Sequence, residues 1–165
     1  MSNKKFCLKL STIMLVLGFM VSWNVEAQTD RRLDGTWVGV HEGIEIEVIM
    51  NNGSYEEKNN GSPASRGTYT TNNGEMLSTV THIFGKNWNT IIGFDMLEPK
   101  WYTVNEFIIA ARKGLLGLKV PEKQINELIN YCISPPKETY SVDADSYISS
   151  FIISEERVVI IYNRK

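Results

Sequence analysis

The fold is decided by residues 44–58, IEIEVIMNNGSYEEK, in which two strand patterns flank an Asn-Gly pair. Apolar and acidic residues alternate over 44–50, which is typical of a β-strand with one buried face. Asn52-Gly53 supplies two residues that tolerate positive φ, as a tight hairpin turn requires. The return strand, residues 54–58, carries Tyr55 as its inward anchor. This stretch therefore predicts an antiparallel hairpin.

The same pattern continues in both directions along the chain, with further Asn-Gly pairs at 60–61 and 73–74. Strand patterns occupy residues 36–40, 44–50, 54–58, 66–71, 76–84, 138–142, 147–153 and 158–163. Eight short antiparallel strands predict an up-and-down barrel, because closure of the sheet removes its exposed edges. A β-sandwich with a helical insertion is the alternative.

A helical insertion, about residues 86–136, separates the fifth and sixth predicted strands. Thr103 and Glu106 have the spacing of a capping box, which predicts the start of one helix, and Gly114 is its predicted stop. Pro121 is suited to the first position of a second helix. The sequence therefore predicts a mainly β fold with a two-helix insertion.

The N-terminal segment, residues 1–27, has the pattern of a secretory signal peptide. Three lysines precede an apolar stretch at 10–23, and Val25-Glu26-Ala27 offers a cleavage site. That stretch is shorter than the roughly 20 residues of a membrane-spanning helix. We therefore expect export to the periplasm or the extracellular space, with no transmembrane anchor after cleavage. A polar lead-in at 28–32 would then precede one domain at 33–165.

Composition and charge exclude several classes of protein. The 165 residues are 42% hydrophobic and carry a net charge of −2. Cleavage after residue 27 would remove three lysines and one glutamate, and the net charge would then be −4. This balance gives no reason to expect a nucleic-acid partner. Cys132 is the one cysteine after residue 27, so an internal disulfide is excluded.

Catalytic and metal-binding patterns are absent from the sequence. His41 and His82 have no third partner at a defined spacing, and Cys132 falls on the apolar stripe of the second predicted helix. Glu45 and Glu47 share the solvated face of their strand rather than forming a catalytic pair. We therefore predict that the protein is not an enzyme and has no metal site and no cofactor.

The two ends of the domain carry a recognisable combination of residues. Gly35-Thr36-Trp37 opens the first strand, and Arg164-Lys165 follow the last. Together with the eight strands, these residues resemble the lipocalin-like (calycin) proteins, specifically the small secreted bacterial ones. The resemblance implies that Trp37 closes one end of the barrel under Arg164 or Lys165. The chain departs from that family because its helical material lies between strands and not after the eighth.

Two classes of function are consistent with this sequence. In the first, the barrel binds a small apolar or amphipathic ligand, a use that the resemblance also implies. Its candidate ligand-binding residues are the inward strand residues Ile44, Ile46, Val48, Tyr55 and Tyr69 and the insertion aromatics Trp88, Phe94 and Trp101. In the second, a filled barrel presents the insertion as a protein-interaction module of the adhesion or inhibitor type, whose partner the sequence does not specify. A cavity favours the first class, and a filled barrel with an exposed apolar insertion favours the second.

Overall fold

The computed structural model describes residues 28–153 and 155–165, so the predicted signal peptide lies outside the described residues. The strands are β1 (Gly35–His41), β2 (Ile44–Asn51), β3 (Ser54–Asn59), β4 (Ser62–Asn72), β5 (Glu75–Phe84), β6 (Trp101–Thr103), β7 (Glu138–Val142), β8 (Ser146–Ile153) and β9 (Glu156–Arg164). The α-helices are α1 (Gly85–Ile92), α2 (Val104–Gly117) and α3 (Glu122–Ile133), and a 3-10 turn, Arg31–Leu33, precedes β1. None of the described helices has both the length and the apolar composition needed to cross a membrane.

Eight strands form a closed antiparallel barrel in the order β1-β2-β3-β4-β5-β7-β8-β9. β9 returns to β1, with Trp37 opposite Arg164, and this pairing closes the sheet. β6 pairs with β5 on the outside of the barrel. The predicted barrel, with its insertion between the fifth and sixth barrel strands, is confirmed.

The Asn-Gly pairs make the tight turns that the sequence predicts. Asn52, Asn60 and Asn73 have φ angles of 46°, 50° and 49°, and the glycine after each also has positive φ. Such angles match the right-handed twist of a two-residue hairpin. The turn at Asn60-Gly61 is tighter than its flanking sequence suggests, so β4 begins at Ser62 and not at residue 66.

The insertion contains three helices and β6, where the sequence predicts two helices. The capping box at the start of α2 is present, because Glu106 Oε2 accepts from the Thr103 backbone N–H at 2.9 Å. The predicted stop at Gly114 is wrong, since α2 continues to Gly117. Gly114 instead leaves room for Met96, whose Sδ would lie 2.5 Å from a Cβ at this position.

Two apolar clusters divide the domain. The barrel cluster consists of Leu33, Trp37, Val48, Met50, Tyr69, Met76, Tyr147, Ile160 and Tyr162. The insertion cluster contains Val80 and Ile83 of β5 together with Trp88, Leu97, Tyr102, Phe107, Ala111, Leu115, Ile125 and Ile129. β5 pairs with β7 only at Glu75 and Met76, and its later residues pack against the helices. The insertion therefore forms part of the barrel wall.

Candidate ligand-binding cavity

A cavity of about 640 Å³ occupies the barrel interior and extends to one end of it. The exposed residues around that end come from the β1–β2 turn, the start of β2, α1 and the end of α3, and they include Glu42, Ile44, Ile91 and Tyr131. Ligand pockets typically measure about 300–1,000 Å³. The barrel therefore has room for one small molecule.

Six of the eight predicted ligand-binding residues line this cavity. They are Ile44, Ile46, Val48, Tyr55, Tyr69 and Trp88. Alternation along β2 explains why Ile44, Ile46 and Val48 share one face, which the barrel turns inward. Met76, Val80 and Ile160 extend the apolar wall onto β5 and β9.

The structure does not bring the other two predicted residues, Phe94 and Trp101, to the cavity. Trp101 lies on β6, outside the barrel, with its ring 5.3 Å from that of Phe84 and under the guanidinium of Arg66 at 4.6 Å. Phe94 follows α1 and is 57% exposed. The part of the insertion that reaches the cavity is α1, through Trp88 and Ile91, and the end of α3.

Two carboxyl groups, those of Glu57 and Glu138, face the same cavity from β3 and β7. Glu138 Oε2 accepts from the Tyr147 hydroxyl at 3.0 Å and from the Ser149 hydroxyl. Glu57 Oε2 accepts from the Ser65 hydroxyl at 3.4 Å, and the Asn59 amide nitrogen can donate to Oε1 at 3.1 Å. All of these partners are neutral.

Burial raises the pKa of both carboxyl groups, and the charge of Glu138 raises the pKa of Glu57 further. Burial also raises the pKa of Tyr55 to about 12, with contributions from the charges of both glutamates. None of the described residues that line the cavity is Lys or Arg, and the basic side chain on its wall is His41 at the open end. The cavity is therefore an acidic site without an internal counter-charge.

Trp88 is a further polar group on the cavity wall. The residue is fully buried, and its ring meets Phe107 edge-on at 5.0 Å. Its indole Nε1 has no hydrogen-bond partner among the described residues. Because this nitrogen is itself inaccessible, it is an unsatisfied donor among the packed side chains of the insertion cluster and is not open to the cavity.

The opposite end of the barrel is closed by Trp37 and Arg164. Trp37 Nε1 donates to the Leu33 carbonyl oxygen at 2.7 Å, and the Arg164 guanidinium lies 4.3 Å from the ring centroid. Arg164 also donates to the carbonyl oxygens of Asp34, Arg32 and Ala144. Gly35 permits this approach, because a Cβ there would lie 2.7 Å from Arg164 Nη1.

Lys165, the alternative partner for Trp37, contacts a different residue. Its Nζ lies 2.6 Å from Glu47 Oε2 on the outer surface of the barrel. Lys58 Nζ contacts Oε1 of the same carboxylate at 2.9 Å, and both lysines lower the pKa of Glu47. Arg164 is therefore the basic residue that covers Trp37.

The other candidate reactive groups do not form a catalytic arrangement in the described residues. Cys132 lines the cavity, and burial raises the pKa of its thiol to about 12, which opposes thiolate formation. His82 Nδ1 is 3.0 Å from the neighbouring Thr81 hydroxyl. Within residues 28–153 and 155–165, no three His, Cys, Asp or Glu side chains are grouped as metal ligands.

The sequence interpretation did not include Glu57 and Glu138 among the site residues. Glu57 follows Tyr55 by two positions, so strand alternation places both on the inner face of β3. That alternation was the available indication for Glu57. No equivalent pattern identifies Glu138, the first residue of β7.

Comparison with known proteins adds no assignment, because no family model, no curated protein and no solved structure matches this chain. The lipocalin-like resemblance stays a prediction from the sequence.

Proposed function

We propose that the protein binds a small apolar or amphipathic ligand inside the barrel. The observation that carries this proposal is the cavity of about 640 Å³, which an apolar wall from β2, β5 and β9 surrounds. An interior of this kind resembles ligand pockets, in which apolar surfaces provide most of the contact and a few polar groups set orientation. Closely packed interiors leave few voids larger than a water molecule.

The test is a titration with N-phenyl-1-naphthylamine, an uncharged naphthalene probe whose fluorescence increases in apolar surroundings. We expect saturable binding by the purified protein. Ile46→Trp adds volume inside the cavity and is expected to weaken binding by about tenfold while the melting temperature changes little. Trp88 on the wall provides a second readout through its own fluorescence.

Glu45→Trp is the matched control, because Glu45 is exposed on the outer face of the same strand. This variant is expected to bind the probe like the wild type. Absence of saturable binding to the wild type, or equal behaviour of the two variants, would remove the support for a ligand-binding barrel.

A second candidate function is protein contact through the insertion. Its specific support is a set of exposed apolar side chains on the insertion: Ile91, Phe94, Ile109, Leu116 and Leu118. Exposed apolar groups of this kind can mark interaction sites. The unfilled barrel favours ligand binding over this alternative, which becomes the preferred interpretation if the probe does not bind.

Export to the periplasm or the extracellular space is part of the proposal and is supported by the sequence pattern of residues 1–27. N-terminal sequencing of the exported protein is expected to begin at Gln28, within a few residues. Recovery of the chain with Met1 intact in a membrane fraction would contradict cleavage.

A further inference from the structure

We propose that the ligand is an amphipathic organic amine whose ammonium group lies at the Glu57 and Glu138 carboxylates and whose apolar part fills the rest of the barrel. This inference rests on the proposed ligand-binding function and specifies the chemical class of the ligand. Its starting point is the placement of two acidic side chains on the wall of one largely apolar cavity.

The described residues supply no counter-charge to the two cavity carboxyl groups. Neither Glu57 nor Glu138 forms an ion pair with a described residue, and no described Lys or Arg lines the cavity. On the outer surface, in contrast, Glu47 is paired with both Lys58 and Lys165. A buried carboxylate without a positive partner is unfavourable, and a bound ammonium group would supply that partner.

The two carboxyl groups also keep acceptor sites that the described residues do not fill. Both donors to Glu138, the hydroxyls of Tyr147 and Ser149, reach Oε2. No described residue donates to Oε1. Among the described residues, the Glu57 carboxyl group accepts only from the Ser65 hydroxyl at 3.4 Å and from the Asn59 amide. An ammonium group has three N–H donors and no acceptor, which matches these free acceptor sites.

An aromatic surface lies beside the carboxyl groups. Tyr147 and Tyr162 stack with their ring centroids 5.1 Å apart, and both rings border the cavity. Burial raises the pKa of the Tyr162 hydroxyl, and the negative charges of Glu57 and Glu138 raise it further. Both carboxyl groups therefore act electrostatically on this residue. Aromatic faces near carboxylates attract organic cations through cation–π interaction.

The same groups disfavour an anionic ligand. A fatty-acid carboxylate would meet two like charges and no Lys or Arg of the described cavity wall, whereas an uncharged alcohol would meet groups that can form hydrogen bonds with it. The order of affinity expected for one alkyl chain is amine, then alcohol, then carboxylate.

The experiment measures displacement of N-phenyl-1-naphthylamine by decylamine, decanol and decanoate at about neutral pH. These competitors share a ten-carbon chain and differ in the charge of the head group. Decylamine is expected to displace the probe at a concentration about tenfold lower than decanoate, with decanol between them. Glu57→Gln and Glu138→Gln are each expected to reduce the preference for decylamine over decanol by several-fold.

Glu56→Gln is the matched control, because Glu56 lies on the opposite face of β3 and does not line the cavity. This variant is expected to keep the wild-type preference. If decanoate or decanol competes as well as decylamine, or if the Gln variants keep the wild-type preference, the amine assignment is wrong while ligand binding stands. If neither the probe nor any competitor binds, the proposed function itself fails, and this inference fails with it.

Discussion

The closed end and the cavity of this barrel both contain charged side chains, but these side chains differ in how fully the chain supplies their hydrogen-bond and charge partners. At the closed end, the Trp37 indole donates to a backbone carbonyl, and Arg164 meets three carbonyl oxygens and the indole ring. In the cavity, Glu138 has neutral partners at one oxygen only, and neither Glu138 nor Glu57 forms an ion pair with a described residue. The polar groups that close the barrel are thus satisfied by the chain itself, whereas the cavity carboxyl groups keep acceptor sites that no described residue fills.

Tyr147 connects these two regions. Its ring lies 5.9 Å from that of Trp37, and its hydroxyl donates to Glu138. The residue is almost fully buried. Packing at the closed end therefore holds one of the two donors to the cavity carboxyl group, so loss of the closed end is expected to disturb the cavity as well.

Trp37→Ala is expected to have the largest effect on stability, because it removes a fully buried side chain and the covering contact of Arg164. Large-to-small changes of this kind cost about 3–5 kcal/mol in the free energy of unfolding. Urea denaturation followed by circular dichroism measures the loss. An unchanged denaturation midpoint would show that Trp37 does not hold the barrel closed.

Arg164→Ala is expected to have an intermediate effect. The substitution removes one cation–π contact and three hydrogen bonds to carbonyl oxygens at the edge of the barrel, which together contribute about 1–2 kcal/mol. Thermal melting of Arg164→Ala beside Lys165→Ala measures this contribution. Because the Lys165 side chain is exposed and Glu47 keeps Lys58 as a second partner, removal of Lys165 is expected to leave the melting temperature near that of the wild type. Equal losses for the two variants would contradict the distinct role of Arg164.

Glu138→Gln is expected to have the smallest effect, and the effect depends on pH. Burial raises the pKa of Glu138 above its ordinary value of 4.5, so the folded chain keeps this proton to a higher pH than the unfolded chain. Stability associated with this group is therefore fully present below pH 4.5 and falls as the pH rises toward the folded-state pKa.

The neutral glutamine does not undergo this loss. Relative to the wild type, Glu138→Gln is therefore expected to be more stable at pH 8 than at pH 4. Denaturation at both pH values, without added ligand, measures the change, and Glu56→Gln controls for the lost charge. If the free energy of unfolding changes between the two pH values by the same amount in the wild type and in Glu138→Gln, the surroundings of Glu138 do not destabilise its charged form.

Local features of the sequence account for most of the barrel. Alternation along β2 and the three Asn-Gly turns act within a few residues, so they predict hairpins without knowledge of the remaining chain. The basic residue over Trp37 was expected from the family resemblance, which did not distinguish Arg164 from Lys165. The choice follows from the register of β1 and β9, in which Arg164 lies opposite Trp37.

Other features depend on contacts between distant parts of the chain. The sequence predicts Trp101 at the cavity, but β6 pairs with the last three residues of β5, outside the barrel, and holds the Trp101 ring against Phe84. α1 was missed because its eight residues, which include Trp88, Thr90 and two isoleucines, continue directly from a β-favouring run. The cavity volume depends on the total volume of the inward side chains on eight strands, and no local sequence pattern predicts that total.

The central claim is that the barrel holds a small molecule, and native mass spectrometry of the protein purified from its own source tests this most directly. We expect a species heavier than the polypeptide that loses the extra mass under denaturing conditions. The Ile46→Trp variant purified in the same way is expected to show a smaller share of the heavier species, because the added ring takes up part of the cavity. Identical native and denatured masses for the wild-type protein would contradict the account.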